Sequence, residues 1–287
     1  MSAEGLLLVD KPAGVTSHDV VNAARRALGE RRVGHAGTLD PFATGLLVLL
    51  AGRATRLVPH VSGDPKVYAA TVRFGAETDT EDLLGAVVRQ AEPPAEAAVR
   101  AAVGRLVGAL DQVPPAYSAK RVAGRRAYDL ARAGEAVDLQ PARVRVDAFE
   151  VVAWRAHDLV ECDVRVTCGP GTYIRSLARD LGRLVGSAAH LSALRRERSG
   201  RFDVCDAVPL AALQAGHAAL HPPLAALPEH PVQRLDALDV RRVTGGIRVP
   251  ATTDGDWAAL LDAGTGALVA LGQRAGDEWQ PRVVLHG

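Results

Sequence analysis

Gly34-His35-Ala36-Gly37-Thr38-Leu39-Asp40-Pro41-Phe42-Ala43-Thr44-Gly45 sets one carboxylate in a stretch of small residues, where neither helix nor strand propensity accounts for it. Gly34, Gly37 and Gly45 permit backbone conformations closed to other residues, and Pro41 fixes the chain directly after Asp40. An Asp-Pro pair of this kind can be a plain Asx-turn, in which the carboxylate bonds its own backbone. It can also hold a nucleophile on a rigid loop, and the flanks decide between the two.

On the upstream side, Leu6 to Val9 is an apolar run ended by Asp10-Lys11-Pro12-Ala13-Gly14, a buried strand and a turn. A helix follows, capped by Thr16 or Ser17 with Asp19 in its first turn, Val20, Ala24, Ala27 and Leu28 on one face, and Gly29 at its end. Downstream, Leu46 to Leu50 reads as a continuous apolar strand, and Val67 to Phe74 alternates with Tyr68, Ala70, Val72 and Phe74 on one side. Pro93-Pro94 precedes a helix whose shared face is Val99, Val103, Leu106, Val107 and Leu110. Residues 113–142 form an irregular stretch with an embedded helix near 127–133, too long for an ordinary connection and therefore a candidate binding insert.

Arg143 to Val152 and Leu159 to Cys168 read as paired strands, and Gly169-Pro170-Gly171 leads into a helix with Ile174, Leu177, Ala178, Leu181 and Leu184 inward. Arg175, Arg179 and Arg183 then fall at i+4 steps as a basic stripe on another face. A proline-rich junction from His221 to Pro231 precedes short strands and turn signals from Leu235 to Gly287. Strands interleave irregularly with helices, which predicts an α+β fold with a mixed or antiparallel sheet, a large domain over 1–230 and a small β-rich domain over 231–287.

The 287 residues are 48% hydrophobic, enough for one sizeable core and a small appendage. Cys162, Cys168 and Cys205 show no Cys-x-x-Cys spacing, and the first two lie about 20 Å apart along one strand, which predicts reduced thiols and a cytoplasmic setting. Neither a leader-like N-terminus nor an apolar run near the ~20 residues of a membrane span is present, so no membrane role is expected. The net charge of +1 gives no hint of a polyanionic partner, but arginines cluster locally. Arg25, Arg26, Arg31 and Arg32 precede the Asp40 loop, Lys120, Arg121, Arg125 and Arg126 follow Tyr117, and Arg195, Arg196, Arg198 and Arg201 follow Leu194. Three such runs around one loop point to phosphate binding. His35 stands alone without a second ligand at zinc spacing, and Asp79, Glu81 and Asp82 read as a capped helix start, so no metal is expected.

Further motifs run in order along the chain: Leu8-Val9-Asp10-Lys11-Pro12-Ala13-Gly14-Val15-Thr16-Ser17, Lys66-Val67-Tyr68, Gly75-Ala76-Glu77-Thr78-Asp79-Thr80, Pro114-Pro115-Ala116-Tyr117-Ser118-Ala119, Gly171-Thr172-Tyr173-Ile174-Arg175 and Leu194-Arg195-Arg196. From about Gly5 to about Asp206 this pattern resembles the TruB family of tRNA pseudouridine synthases. The resemblance implies a central sheet with flanking helices, a catalytic cleft, and a C-terminal module similar to a shortened PUA RNA-binding domain. It implies Asp40 as nucleophile, Arg175 as its guanidinium partner, and Tyr68 stacked on the target base with its part in proton transfer left open. Tyr173 would lie against that base, Leu194 would floor it, and His35 would contact the loop RNA. Lys11 and Pro12 would buttress the Asp loop, with Lys11 grouped among the substrate-binding residues.

The implied reaction turns uridine 55 of the tRNA T-loop, flipped out of its stack, into pseudouridine. It exchanges no electrons and calls for no cofactor. The implied protein is a monomer that binds tRNA without an obligatory protein partner. A non-catalytic tRNA-binding or folding protein and a guide-RNA-dependent relative are the competing readings.

Overall fold

The computed structural model describes residues 3–61, 63–118, 139–217 and 219–285, together with the backbone of 121–122 and 125–126. In chain order its strands are β1 (Gly5–Lys11), β2 (Val33–His35), β3 (Thr44–Ala51), β4 (Lys66–Phe74), β5 (Ala76–Thr78), β6 (Val87–Gln90) and β7 (Gly108–Gln112). Next come β8 (Arg121–Val122), β9 (Arg125–Arg126), β10 (Ala142–Ala156), β11 (Val160–Cys168), β12 (Ala189–Ser199), β13 (Phe202–Asp203) and β14 (Val208–Pro209). The last five are β15 (Val232–Leu235), β16 (Val249–Pro250), β17 (Trp257–Asp262), β18 (Leu268–Ala275) and β19 (Glu278–Val284). The helices are α1 (Ser17–Leu28), α2 (Glu96–Ala102), α3 (Ile174–Leu184), α4 (Leu210–Gln214) and α5 (Ala237–Thr244). The expected helix near 127–133 lies outside the described residues.

Contacts divide the chain into two compact units, one formed by 1–40, 46–63 and 201–287, the other by 41–45 and 64–200. In the first unit β14, β1 and β3 lie in that order, β14 parallel to β1, and β2 pairs antiparallel with β3. Side chains alternate along β1 and β3, and both faces are covered, which is why these strands read as continuous apolar runs. Leu7, Val9, Leu47 and Leu49 pack under Val20, Val21 and Ala24 of α1 and Leu210 and Leu213 of α4. Leu6, Leu8, Leu46, Val48 and Leu50, facing the other way, pack with Ala259, Leu261, Leu268, Leu271 and Val283 of a second sheet and with Leu285 just past its last strand.

That second sheet has the order β15-β17-β18-β19-β16. Its far face, with Leu260, Val269 and Trp279, closes over Val243 of α5. The small sheet, which begins at Val232, shares a core with β1 and β3 in the same compact unit.

α1 starts where local chemistry dictates. Thr16 accepts from the Asp19 amide at 3.1 Å while the Asp19 carboxylate accepts from the Thr16 amide at 2.9 Å, a capping box. Hydrogen bonds from the Thr16 hydroxyl and amide hold the Asp19 carboxyl below the usual carboxylate range. Gly29 ends the helix in the left-handed conformation, with φ 60°.

In the second unit β12, β4, β11, β10 and β7 form an antiparallel run, and Thr44 and Gly45 at the start of β3 pair in parallel with Arg195 and Arg196 of β12. Gly45 is needed there, because a Cβ would sit 2.3 Å from the Arg196 carbonyl oxygen. α3 packs on β12, and at Gly182 a Cβ would come within 2.7 Å of the Ala189 backbone. The sheet is mixed, as expected for an α+β fold.

Two expected elements differ. The helix predicted from Val99 through Leu110 stops earlier: α2 gives way to a 3-10 turn over Val103–Leu106, and Gly108, with φ 104°, turns the chain so that Leu110 lies in β7. The helix start predicted at Asp79 to Asp82 is a tight turn instead. The Asp82 carboxylate accepts from the Thr80 hydroxyl at 2.7 Å and the Leu84 amide at 3.0 Å, and Glu81 sits at φ 61°. Among the described residues no helix is long and apolar enough to cross a membrane.

Candidate active site

Two neighbourhoods carry the residues singled out in the sequence. The first surrounds Asp40. The Lys11 side chain is fully buried, and its ammonium donates to the carbonyls of Pro12 at 2.9 Å and Val15 at 2.8 Å. This closes the turn that delivers Thr16 and Ser17 to the start of α1. The Ser17 hydroxyl, also buried, donates to the Leu39 carbonyl at 3.0 Å and accepts from the Leu39 amide at 2.9 Å. Leu39, itself buried, is therefore tied at both backbone polar groups, and half-buried Asp40 follows directly. Lys11 thus holds the turn between Pro12 and Val15 from a buried position.

Replacing Ser17 by Ala leaves the Leu39 amide and carbonyl buried without that partner. Such a loss costs about 1–3 kcal/mol, which would appear as a lowered denaturant midpoint; an unchanged midpoint would mean the tie is dispensable.

His35 lies on β2 opposite Leu49 and is partly exposed, and the next residue, Ala36, donates its amide to the Val48 carbonyl at 2.9 Å. β2 thus fixes the chain leading into the loop.

The second neighbourhood lies in β4, β12 and the entrance to α3. Tyr68 stands opposite Val166 on β11 and Arg196 on β12, while Ala70 stands opposite Leu194, so Tyr68, Leu194 and Arg196 share one side of the sheet. All three are buried, Arg196 at 1% exposure. Arg196 is therefore no phosphate-facing surface residue, and of its run only Arg198 and Arg201 are exposed. The side chains of the run from Lys120 to Arg126 lie outside the described residues.

Tyr173 ends the loop before α3. Its amide donates to Gln112 Oε1 at 2.8 Å and its carbonyl accepts from Gln112 Nε2 at 3.0 Å. Buried Gln112, at the end of β7, had drawn no notice in the sequence. Only its place beside the Pro114-Pro115 motif could have hinted at it.

The expected basic stripe on α3 is a set of ion pairs, with Arg175 and Arg179 buried and Arg183 exposed but bound to a buried carboxylate. Arg175, 3% exposed, donates to the carbonyls of Thr80 at 2.7 Å and Tyr117 at 2.9 Å, with Asp82 at 3.9 Å. Arg179 pairs with Glu81 and donates to the Val113 carbonyl at 3.0 Å. Arg183 grips Glu77 through two nitrogens at 3.0 and 2.7 Å, and Arg89 reaches the same carboxylate at 2.7 Å. Burial alone would push the Glu77 carboxyl up, but the two guanidiniums bring it below the usual range.

The acidic segment from Glu77 to Asp82 thus runs along the arginines at one residue of each helical turn. A cleft of about 390 Å³ opens here, lined by the paired charges together with Val88, Val113, Pro114 and Leu139. Arg179→Leu should consequently destabilise the fold by about 3–5 kcal/mol, because it strands a buried carboxylate. A thermal transition unchanged in that variant would contradict the pairing.

Among the described residues no group of three or more His, Cys, Asp or Glu could hold a metal ion. The three cysteines are unpaired, Cys162 and Cys168 buried in β11 and each pushed up to about 11 chiefly by that burial.

A family model described as TruB family pseudouridylate synthase (N terminal domain) matches residues 25–174, and one described as tRNA pseudouridylate synthase B C-terminal domain matches 175–225. The chain belongs to the TruB family of pseudouridylate synthases. TruB relatives extend the match to full length. A "tRNA pseudouridine synthase B" of Thermobifida fusca is 46% identical over 99% of both chains. Another protein of that name, from Gloeobacter violaceus, is 42% identical over 98% of this chain and 99% of its own. Among solved structures, an archaeal box H/ACA sRNP Nop10-Cbf5 complex aligns over 98% of this chain and 85% of that chain at 25% identity and a TM-score of 0.69. An H/ACA RNP bound to a substrate RNA containing 2′-deoxyuridine shares the fold, with a TM-score of 0.71 at 24% identity over 99% of this chain and 85% of that one. As a TruB pseudouridylate synthase the chain is an isomerase, and the family match spans Asp40, Tyr68, Tyr173, Arg175 and Leu194.

Proposed function

We propose that this chain isomerises uridine 55 in the T-loop of tRNA to pseudouridine, acting alone in the cytoplasm as a monomer. The observation that carries this reading is the 46% identity, over essentially the whole of both chains, to an enzyme named for tRNA. In the proposed chemistry the Asp40 carboxylate attacks the flipped nucleoside as the bond from C1′ to N1 breaks. The base turns, C1′ joins C5, the carboxylate leaves, and the proton lost from C5 is matched by one taken up at N1, which the broken bond left with the electron pair. Bond order and electron count balance without an oxidant, a reductant or a Lewis acid.

Arg175 is proposed as the guanidinium that keeps Asp40 ionised and oriented, a role that rests on the resemblance. Tyr68 and Tyr173 offer aromatic faces and polar tips for a detached uracil, Leu194 an apolar floor, and His35 a contact to the loop RNA. Support for the loop role of Asp40 comes from the reciprocal Ser17 tie at Leu39, which holds the preceding residue and favours a fixed carboxylate.

The tail is proposed to add phosphate contacts through Arg241, Arg242 and Arg248, which carry no base information. The deciding assay incubates purified protein with unmodified tRNA transcript and maps pseudouridine. A single new pseudouridine at position 55, formed without other protein or guide RNA, is the expected result. Binding without modification would favour a non-catalytic tRNA protein, and activity only with added guide RNA would favour the guided relative.

A further inference from the structure

We infer that Glu81 is a positioning residue that sets the guanidinium of Arg175, an inference that rests on Arg175 belonging to the catalytic machinery. Glu81 is the one non-glycine residue with positive φ among those described, a conformation that persists only where surrounding contacts enforce it. Those contacts converge on α3. The Glu81 carboxylate, 8% exposed, accepts from the Ser176 hydroxyl at 2.8 Å and pairs with Arg179, the residues one position and one turn beyond Arg175. Its backbone is held as well, the amide donating to Thr78 at 3.0 Å and the carbonyl accepting from Leu191 on β12 at 3.1 Å.

The residues on either side of Glu81 are the ones that meet Arg175. The Thr80 carbonyl accepts from it at 2.7 Å, and the Asp82 carboxylate stands 3.9 Å away. Rotating the turn would move both. The side chain of Glu81 therefore fastens to α3 the same turn whose neighbouring groups hold the guanidinium. Burial pushes the Glu81 carboxyl up although the Arg179 guanidinium opposes the shift, so this clamp is an ionisable group kept in a poorly solvated place. Such an arrangement has a cost in stability, consistent with a role in geometry.

Glu81→Gln tests this, because the amide keeps the shape and can still accept from Ser176 while losing the pairing with Arg179. Arg179 retains Asp180 at 2.9 Å and the Val113 carbonyl, which favours a folded variant. Single-turnover pseudouridine formation on saturating tRNA should fall about tenfold with tRNA affinity within about twofold, and in an Arg175→Lys background Glu81→Gln should add less than about twofold. A wild-type rate in Glu81→Gln, or losses that multiply in the double variant, would overturn the inference while leaving the role of Arg175 intact. A wild-type rate in Arg175→Lys would instead remove Arg175 from the machinery, and the inference with it. Should Glu81→Gln fail to fold, Ser176→Ala removes one contact to the same carboxylate and carries the same cycle.

Discussion

Asp40→Asn is expected to lower the single-turnover rate by at least about 10⁴-fold, the scale seen when a covalent nucleophile is removed, while tRNA affinity stays within about twofold. The amide matches the carboxylate in size and can accept a hydrogen bond, but it cannot attack the nucleoside and leave again. The Ser17 tie at Leu39 involves only backbone and the Ser17 hydroxyl, so the loop should keep its course in the variant. Single-turnover mapping beside filter binding separates the two effects. A rate near wild type would end the assignment of Asp40 as nucleophile.

Deletion of 235–287 is expected to abolish the cooperative unfolding transition. Leu6, Leu8, Leu46, Val48 and Leu50 would lose the cover of Ala259, Leu261, Leu268, Leu271, Val283 and Leu285. At about 1.5–3 kcal/mol for each large side chain exposed, five such residues approach or exceed the ~5–15 kcal/mol that holds a domain folded. Insoluble protein, or soluble protein without a thermal transition, is the expected outcome. A soluble truncated chain with an intact transition would mean that the tail is a separable arm. Its proposed phosphate contacts would then be read directly from the drop in the salt slope of tRNA binding. In the intact protein the same contacts are best tested by neutralising Arg241, Arg242 and Arg248, which changes the slope without uncovering the core.

Much of the framework was legible in the sequence because it is locally encoded. The capping box of Thr16 and Asp19 and the left-handed Gly29 mark both ends of α1 within a few residues of the helix itself. The apolar runs of Leu6 to Val9 and Leu46 to Leu50 are strands buried on both faces, and the alternation around Tyr68 sets its side of β4 through the period of two. The ordered motifs around Asp40, Tyr68 and Arg175 carried the family without any coordinates, since a run of motifs in fixed order is read from side-chain identity alone.

What only the tertiary structure decided was who meets whom across long separations. The i+4 spacing of Arg175, Arg179 and Arg183 determines that they share a helix face, but not whether water or acid covers it. The answer lies about 100 positions away in Glu77 and Glu81, whose turn had the composition of a helix start. Gln112 became visible as the partner of Tyr173 only once β7 and α3 had docked. The turn signals after Leu235 announced short strands, yet their burial against β1 and β3 follows from complementary apolar faces and leaves no local trace. Backbone propensity and capping act over a few residues, so sequence alone determined most of the elements and the family. Desolvation and ion pairing act between faces that only the folded chain brings together, and these decided which charges are structural and which surface is core.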